Sequence, residues 1–355
     1  MNPITKRNMY NSTNGLLRDT NMSSRVPSAR RVWTAADTAV MPCALVFIDE
    51  TSAGSPNKRR PGALSYVEQA VTLNRSLLAL GLPRLTIVSN VPRFIERYLE
   101  DLAPDVRPTM QPLLPSLSLS RNTRFYSAHF KLDLLEQIGS SMPDGTLLML
   151  LDTDVFAFRP LSGDLLRRCA ETGIGAFDIS DQEFSAYGSR RVVADLEMVA
   201  GRRLLNPRWF GGECLLVTSS LIKELMPFAR ECFLRYVDAL PHLNHQGDEM
   251  FMSAALNLLS EKNRPIIDVG TYRLVGRHWS GNGHRDLRWF KGCSLIHLPD
   301  CKELLERQAR ARVLSADRLW RTLVLRHALN RLVWPVKQRR RKHRLAHRLV
   351  VQSST

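Results

Sequence analysis

The chain has 355 residues, 44% hydrophobic and 24% charged, a composition that suits a globular protein with an ordinary core. Its formal net charge is +16, but thirteen Lys and Arg against one acid, Asp317, lie from Ala309 onward, and six against Asp19 in the first 36 residues. The middle is therefore close to neutral, whereas a nucleic-acid-binding body needs basic residues interleaved with aromatics throughout.

Residues 1–40 are rich in Asn, Ser, Thr and Arg without an apolar period, which predicts a disordered basic segment. The first predicted strand is Ala44–Ile48, followed by helical spacing over Tyr66–Leu80 that Gly81 and Pro83 end. Leu85–Ser89 is the next strand, so β, α and β arrive in the order of a parallel sheet. Four prolines between 104 and 120 predict a long loop, and a helix follows over Phe130–Ile138. Thr146–Leu151 is the most apolar run of the chain and reads as a central strand buried on both faces. Further strands are expected at Gly175–Ile179, Cys214–Thr218, Ile266–Val269 and Ser294–Leu298, with helices at Ser220–Ala239 and Asp248–Leu259. Residues 41–308 thus form the α/β body, and 309–355 a basic amphipathic tail.

The six cysteines (Cys43, Cys169, Cys214, Cys232, Cys293, Cys301) form no C-x-x-C pair. That pattern argues against a structural zinc site or a disulfide scaffold, and suits free thiols in a reducing, cytoplasmic setting. No apolar run approaches the roughly 20 residues of a membrane span, nor is there a signal-peptide core near the start.

Two carboxylates stand directly after the apolar strand, at Asp152 and Asp154. The carboxyl ends of parallel strands are where such sheets hold ligands. In extended chain, residues i and i+2 point the same way, so both carboxylates can face one ion. Oxygen donors suit Mn²⁺ or Mg²⁺, which would bridge the phosphates of a nucleoside diphosphate. A solvated strand-end turn would also use aspartates here; the apolar strand ahead and Val155-Phe156 behind favour the ion site.

Here the sequence resembles glycosyltransferases of the GT-A fold, over about residues 43–308. His129–Ile138 followed by Leu147–Val155 is similar to the helix and D-x-D strand of family 8 retaining transferases. The resemblance implies a GT-A nucleotide-diphospho-sugar transferase fold, a mostly parallel central sheet flanked by helices. It implies a sugar moved from a nucleotide-sugar donor, a UDP-sugar, to a hydroxyl acceptor with retention of configuration. Asp152, Lys131, Lys302 and Ile48 then fall on the donor side.

Phe210-Gly211-Gly212 resembles the acceptor-side segment of family 6, and paired glycines let a sugar approach the backbone. Asp248-Glu249 opens a helix and resembles the carboxylate segment of both families, implying a nucleophile or an oxocarbenium-stabilising anion. The same acids would also suit the helix dipole. Ser294–Lys302 resembles the closing motif of family 8, which implies His297 as third metal ligand and Lys302 on phosphate. It lacks the family's Gly and is one residue short, and His278-Trp-Ser-Gly281 offers a rival histidine.

The tail predicts a helix over 310–334 carrying Val313, Ala316, Trp320, Leu323, Val324 and His327 near one face, with Arg318, Arg321 and Arg326 between. Such a helix suits an anionic bilayer surface. A peripheral enzyme acting on a lipid-linked or envelope glycan is expected. The alternatives are a sugar-phosphate nucleotidyltransferase, against which no Gly-rich phosphate loop follows the first strand, and a basic nucleic-acid-binding protein.

Overall fold

The structure, a computed structural model, describes residues 38–49, 51, 62, 64–281 and 284–333. The basic segment read over 1–40 therefore lies almost wholly outside the described residues, as does the tail beyond 333. The elements run β1 (Val40–Val46), α1 (Ser65–Ala79), β2 (Thr86–Ser89), α2 (Pro92–Leu99), β3 (Thr109–Pro112), α3 (Lys131–Ser141), β4 (Leu147–Leu151) and β5 (Val155–Ala157). Then come α4 (Gly163–Thr172), β6 (Ile174–Asp178), α5 (Ser180–Tyr187), α6 (Ser189–Ala200), β7 (Phe210–Thr218), α7 (Ser219–Ala239) and α8 (Asp248–Ser260). β8 (Ile267–Asp268), β9 (Val275–Arg277), α9 (Leu287–Lys291), β10 (Leu295–His297) and α10 (Lys302–Ala309) follow, and a last helix, α11, spans 316–333.

The central sheet has seven strands in the order β3-β2-β1-β4-β7-β6-β8. Only β7 runs against its neighbours, so the sheet is mostly parallel, as expected. β4 sits at its middle, and every one of its five side chains is buried. Fully burying one such leucine contributes about 1.5–3 kcal/mol, which explains why an uninterrupted apolar run occupies this place.

A second sheet, β5-β10-β9, is what completes the site. β10 runs antiparallel to β5 with His297 opposite Val155, and parallel to β9 with His297 beside Arg277. The chain leaves the central sheet at β4, turns through Asp152–Asp154 and enters this second sheet at once. Phe156, Ile296, Leu298 and Leu305 pack beneath it with Leu319 and Leu323 of α11.

Several boundaries differ from the sequence reading. β1 begins at Val40, before Pro42, which pairs with Met149 in the sheet. Residues 104–120 are not wholly loop: β3 adds an edge strand whose half-exposed residues carry no apolar alternation. Phe210 and the two glycines belong to β7 itself. The tail helix starts at 316, and its Ala316, Trp320 and Leu323 pack on the body, so the face read as membrane-directed is turned inward.

Candidate active site

Three ligand atoms converge. One atom each from Asp152, Asp154 and His297 lies within 4.8 Å of the others. His297 Nε2 is 3.1 Å from Asp154 Oδ1 and 3.8 Å from Asp152 Oδ2. The turn after β4 supplies the two aspartates, and the β5–β10 pairing carries His297 to them; Leu298 N donates to Asp154 O at 2.9 Å. The rival histidine, His278, is a backbone neighbour, its N bonded to His297 O at 2.9 Å, but its buried ring turns to α11 with Nε2 3.2 Å from His327 Nδ1.

Two lysines close on the same carboxylates. Lys131, in the first turn of α3, places Nζ 2.6 Å from Asp152 Oδ1, 2.7 Å from Asp248 Oδ2 and 2.9 Å from Gly212 O. Burial alone would lower its pKa, but the two carboxylates reverse that and raise it, so the ammonium stays charged. Lys302, at the start of α10, reaches Asp154 Oδ2 at 2.7 Å, with Nζ 5.4 Å from the centre of the Tyr66 ring. Burial pushes the Asp154 carboxyl up, yet Lys302 and His297 outweigh it and hold it well below the usual range. For His297 burial works downward, and Asp154 and Glu213 raise it to about 10.

A second network lies behind the first. Glu213 of β7 is completely buried, and the Arg277 guanidinium grips it with Nε at 2.7 Å and Nη2 at 2.6 Å. Arg277 also bonds Glu249 and approaches Glu183 at 3.5 Å. Glu249 Oε1 accepts from Gly212 N at 3.1 Å, and its Oε2 from Trp209 Nε1 at 3.0 Å. Glu213 Oε1 stands 3.3 Å from His297 Nδ1, near enough to act on its charge though outside hydrogen-bond geometry. Neither Glu213 nor Arg277 was singled out from the sequence. The available signal was the lone charge of the strand Phe210–Thr218, since a buried strand carboxylate demands a partner.

The other sequence candidates can be placed. Asp248 is buried against Lys131; burial raises its pKa, Lys131 opposes, and Asp152 and Glu249 add to the rise. Glu249 keeps a quarter of its side chain exposed. Ile48 follows β1, with its N bonded to Asn90 Oδ1 and its O to Asn90 Nδ2, each at 2.9 Å. The space beside the glycines is occupied by the chain itself. A Cβ on Gly211 would run into Glu213 and Arg277, and one on Gly212 would stand 2.8 Å from Asp248 and 3.1 Å from Lys131 Nζ.

No protein-family profile matches the chain, and no curated protein sequence matches it. Solved structures do. The bifunctional glycosyltransferase WbbM, in its apo form, aligns over 82% of this chain at 12% identity with a TM-score of 0.49. The chain spans only about half of WbbM, 52% of its length. The galactosyltransferase LgtC, solved with donor and acceptor sugar analogues, aligns over 80% of this chain and 100% of its own at 12% identity, with a TM-score of 0.47.

The donor set fits a divalent cation on its own chemistry. Two carboxylates and one imidazole are ligands that a divalent cation takes. Two ammonium groups and the imidazole neutralise these carboxylates here, standing where a bound cation would otherwise supply the positive charge.

Proposed function

We propose that the chain is a metal-dependent glycosyltransferase that moves a sugar from a nucleotide-sugar, a UDP-sugar, to a hydroxyl acceptor with retention of configuration. The observation that carries this reading is the meeting of Asp152, Asp154 and His297 from two sheets, with Lys131, Lys302 and Glu249 around them. Mn²⁺ or Mg²⁺ held by that triad would supply Lewis-acid stabilisation of negative charge on a departing diphosphate.

The remaining work belongs to side chains. Lys302 brings a second positive charge to the mouth of the triad, where a phosphate oxygen can take it from Asp154. Lys131 is held on three sides and acts as a brace that keeps Asp152 and Asp248 together. Glu249 is favoured over Asp248 as the carboxylate facing the donor sugar. It is the more exposed of the two, and Gly212 N, Trp209 and Arg277 fix its direction. An anion so placed can stabilise an oxocarbenium-like transition state or attack the anomeric carbon.

We further place the enzyme on an anionic membrane surface, as a cytoplasmic peripheral protein acting on a lipid-linked or envelope glycan. Among the described residues no helix is long and apolar enough to cross a membrane. α11 carries an outward stripe instead: Leu325, Leu329 and Leu332 are 62%, 55% and 76% exposed, and Arg318, Arg321 and Arg331 are exposed on the same helix. Apolar and basic side chains together suit an anionic interface.

A hydrolysis screen of nucleotide-sugars with Mn²⁺ and Mg²⁺ tests the central reading, because donor breakdown needs no acceptor. Metal-dependent release of a nucleoside diphosphate is expected. Conversion of a nucleotide-sugar and pyrophosphate to a nucleoside triphosphate and a sugar phosphate would replace it with a nucleotidyltransferase, and no turnover of any donor would overturn it.

A further inference from the structure

Beside Glu249 lies a histidine that the site described so far does not use. His245 sits in the turn that leads into α8, three residues before Asp248. Its orientation is fixed from behind by Asp195 of α6, a buried carboxylate. Asp195 Oδ2 accepts from His245 Nδ1 at 2.8 Å, His245 N at 3.1 Å and Asn244 N at 3.0 Å, while Oδ1 accepts from Asn244 Nδ2 at 3.1 Å. A ring that donates through Nδ1 to a carboxylate presents Nε2 of its neutral form as a lone pair. That Nε2 is buried and has no hydrogen-bond partner, in a side chain only 9% exposed.

A buried polar atom without a partner is costly, so such an atom beside a reaction centre calls for a ligand. Two rings enclose the imidazole. Trp209, buried, lies 5.2 Å from it by ring centres and also bonds Glu249, which ties His245 to the site. Tyr187 stands perpendicular to it at 4.7 Å and is itself 53% exposed. Tyr187 is also within electrostatic reach of Glu183, Glu249 and Arg277. It ends α5, and Gly188 follows at φ +90° with open space where a side chain would stand.

We propose that His245 and Tyr187 form the acceptor-side subsite of this cleft, in which Nε2 accepts a hydrogen bond from a saccharide hydroxyl once the tyrosine ring swings aside. The tyrosine then offers its face to the C–H surface of the same sugar ring, the amphipathic contact that aromatic side chains give. Asp195 is a positioning residue: it holds the tautomer and the ring direction and does not touch the sugar. The inference rests on the transferase reading and names the acceptor class as a saccharide bound through a donating hydroxyl.

The test compares two rates in the full-length protein, nucleotide-sugar hydrolysis without acceptor and transfer to a panel of methyl glycosides. His245→Leu is expected to lower the ratio of transfer to hydrolysis about tenfold, the worth of one hydrogen bond of about 1.4 kcal/mol. The loss should appear in the acceptor KM, with partial recovery in His245→Gln, whose side-chain oxygen can still accept. Tyr187→Ala, at an exposed ring, should lower the same ratio without a fold cost. Equal losses of transfer and hydrolysis in all three variants, or an unchanged ratio, would overturn the subsite while leaving the transferase standing. A wild-type protein that hydrolyses no nucleotide-sugar would bring down both.

Discussion

Replacing Arg277 by Met removes the guanidinium that grips Glu213, a carboxylate with no access to water. In the native protein the guanidinium meets Glu213 through two bonds of 2.6 and 2.7 Å, and it also holds Glu249 and Glu183. Two routes give the magnitude. Removing one partner of a buried ion pair costs about 3–5 kcal/mol. Alternatively Glu213 takes up a proton, and protonating a carboxyl of ordinary pKa about 4.3 at pH 7 costs about 4 kcal/mol at 1.36 kcal/mol per unit. The two agree, and either is a large share of the about 5–15 kcal/mol that holds a domain folded.

The loss must also depend on pH. Burial pushes the Glu213 carboxyl up, but Arg277 and His297 overcome it and hold it below its ordinary value. A depressed carboxyl contributes stability above its unfolded pKa and loses it as pH falls. That contribution is lost only well below pH 4.5, so the change in deficit comes from the variant. Its stranded Glu213 must take up a proton to fold, at a cost that is full at pH 7.5 and small near pH 4.5. Urea unfolding followed by tryptophan fluorescence at the two pH values measures both numbers. Adding Glu213→Gln to the Arg277→Met background should return part of the loss, since it removes the stranded charge. A deficit under about 1 kcal/mol, or one of equal size at both pH values, would refute the reasoning.

Asp154→Asn should abolish Mn²⁺-dependent binding of UDP, read by calorimetry, while the circular dichroism stays native; undiminished metal-dependent binding would refute the triad. Glu183 is expected to behave oppositely to Glu213. Burial, then Glu249, raise it to about 7 in spite of Arg277, so its folded form keeps its proton longer than its unfolded form and stability falls as pH rises from about 4.5 to 7. Glu183→Gln should therefore gain up to about 3 kcal/mol over wild type at pH 8 and nothing near pH 4.5, and a gain of the same size at both would contradict it. On the membrane side, sedimentation with anionic liposomes should weaken with salt, and Leu329→Ser with Leu332→Ser should weaken it severalfold; unchanged sedimentation of the double variant would exclude the stripe.

What could be read from the sequence was what lies within one local stretch. The apolar run of β4 and the two aspartates behind it are contiguous, so the strand, its burial and the ligand end of the sheet were all legible together. His297 could be preferred over His278 because it ends an apolar strand, yet the contact that carries it to the aspartates, β10 pairing with β5, is one no local pattern encodes. Glu213 and Arg277 stayed hidden for the same reason: each makes sense only beside the other. The paired glycines were read as room for a sugar, whereas Glu213, Arg277, Asp248 and Lys131 occupy that room in the structure. β5 and β9 have three residues each, too few for any period to show.

The strand that carries His297 enters the fold about 140 residues after the aspartates it joins. During synthesis, the D-x-D turn and its whole sheet edge leave the ribosome long before their third partner exists. Contacts so distant in sequence form late, because a long loop must close first. A nascent chain that has completed β4 but not β10 can bury its core around the first strands and yet has no imidazole at the carboxylates and no Lys302 to face them. A translation product cut short before β10 would thus carry the acidic turn of Asp152 and Asp154 without two of the cationic groups that face it.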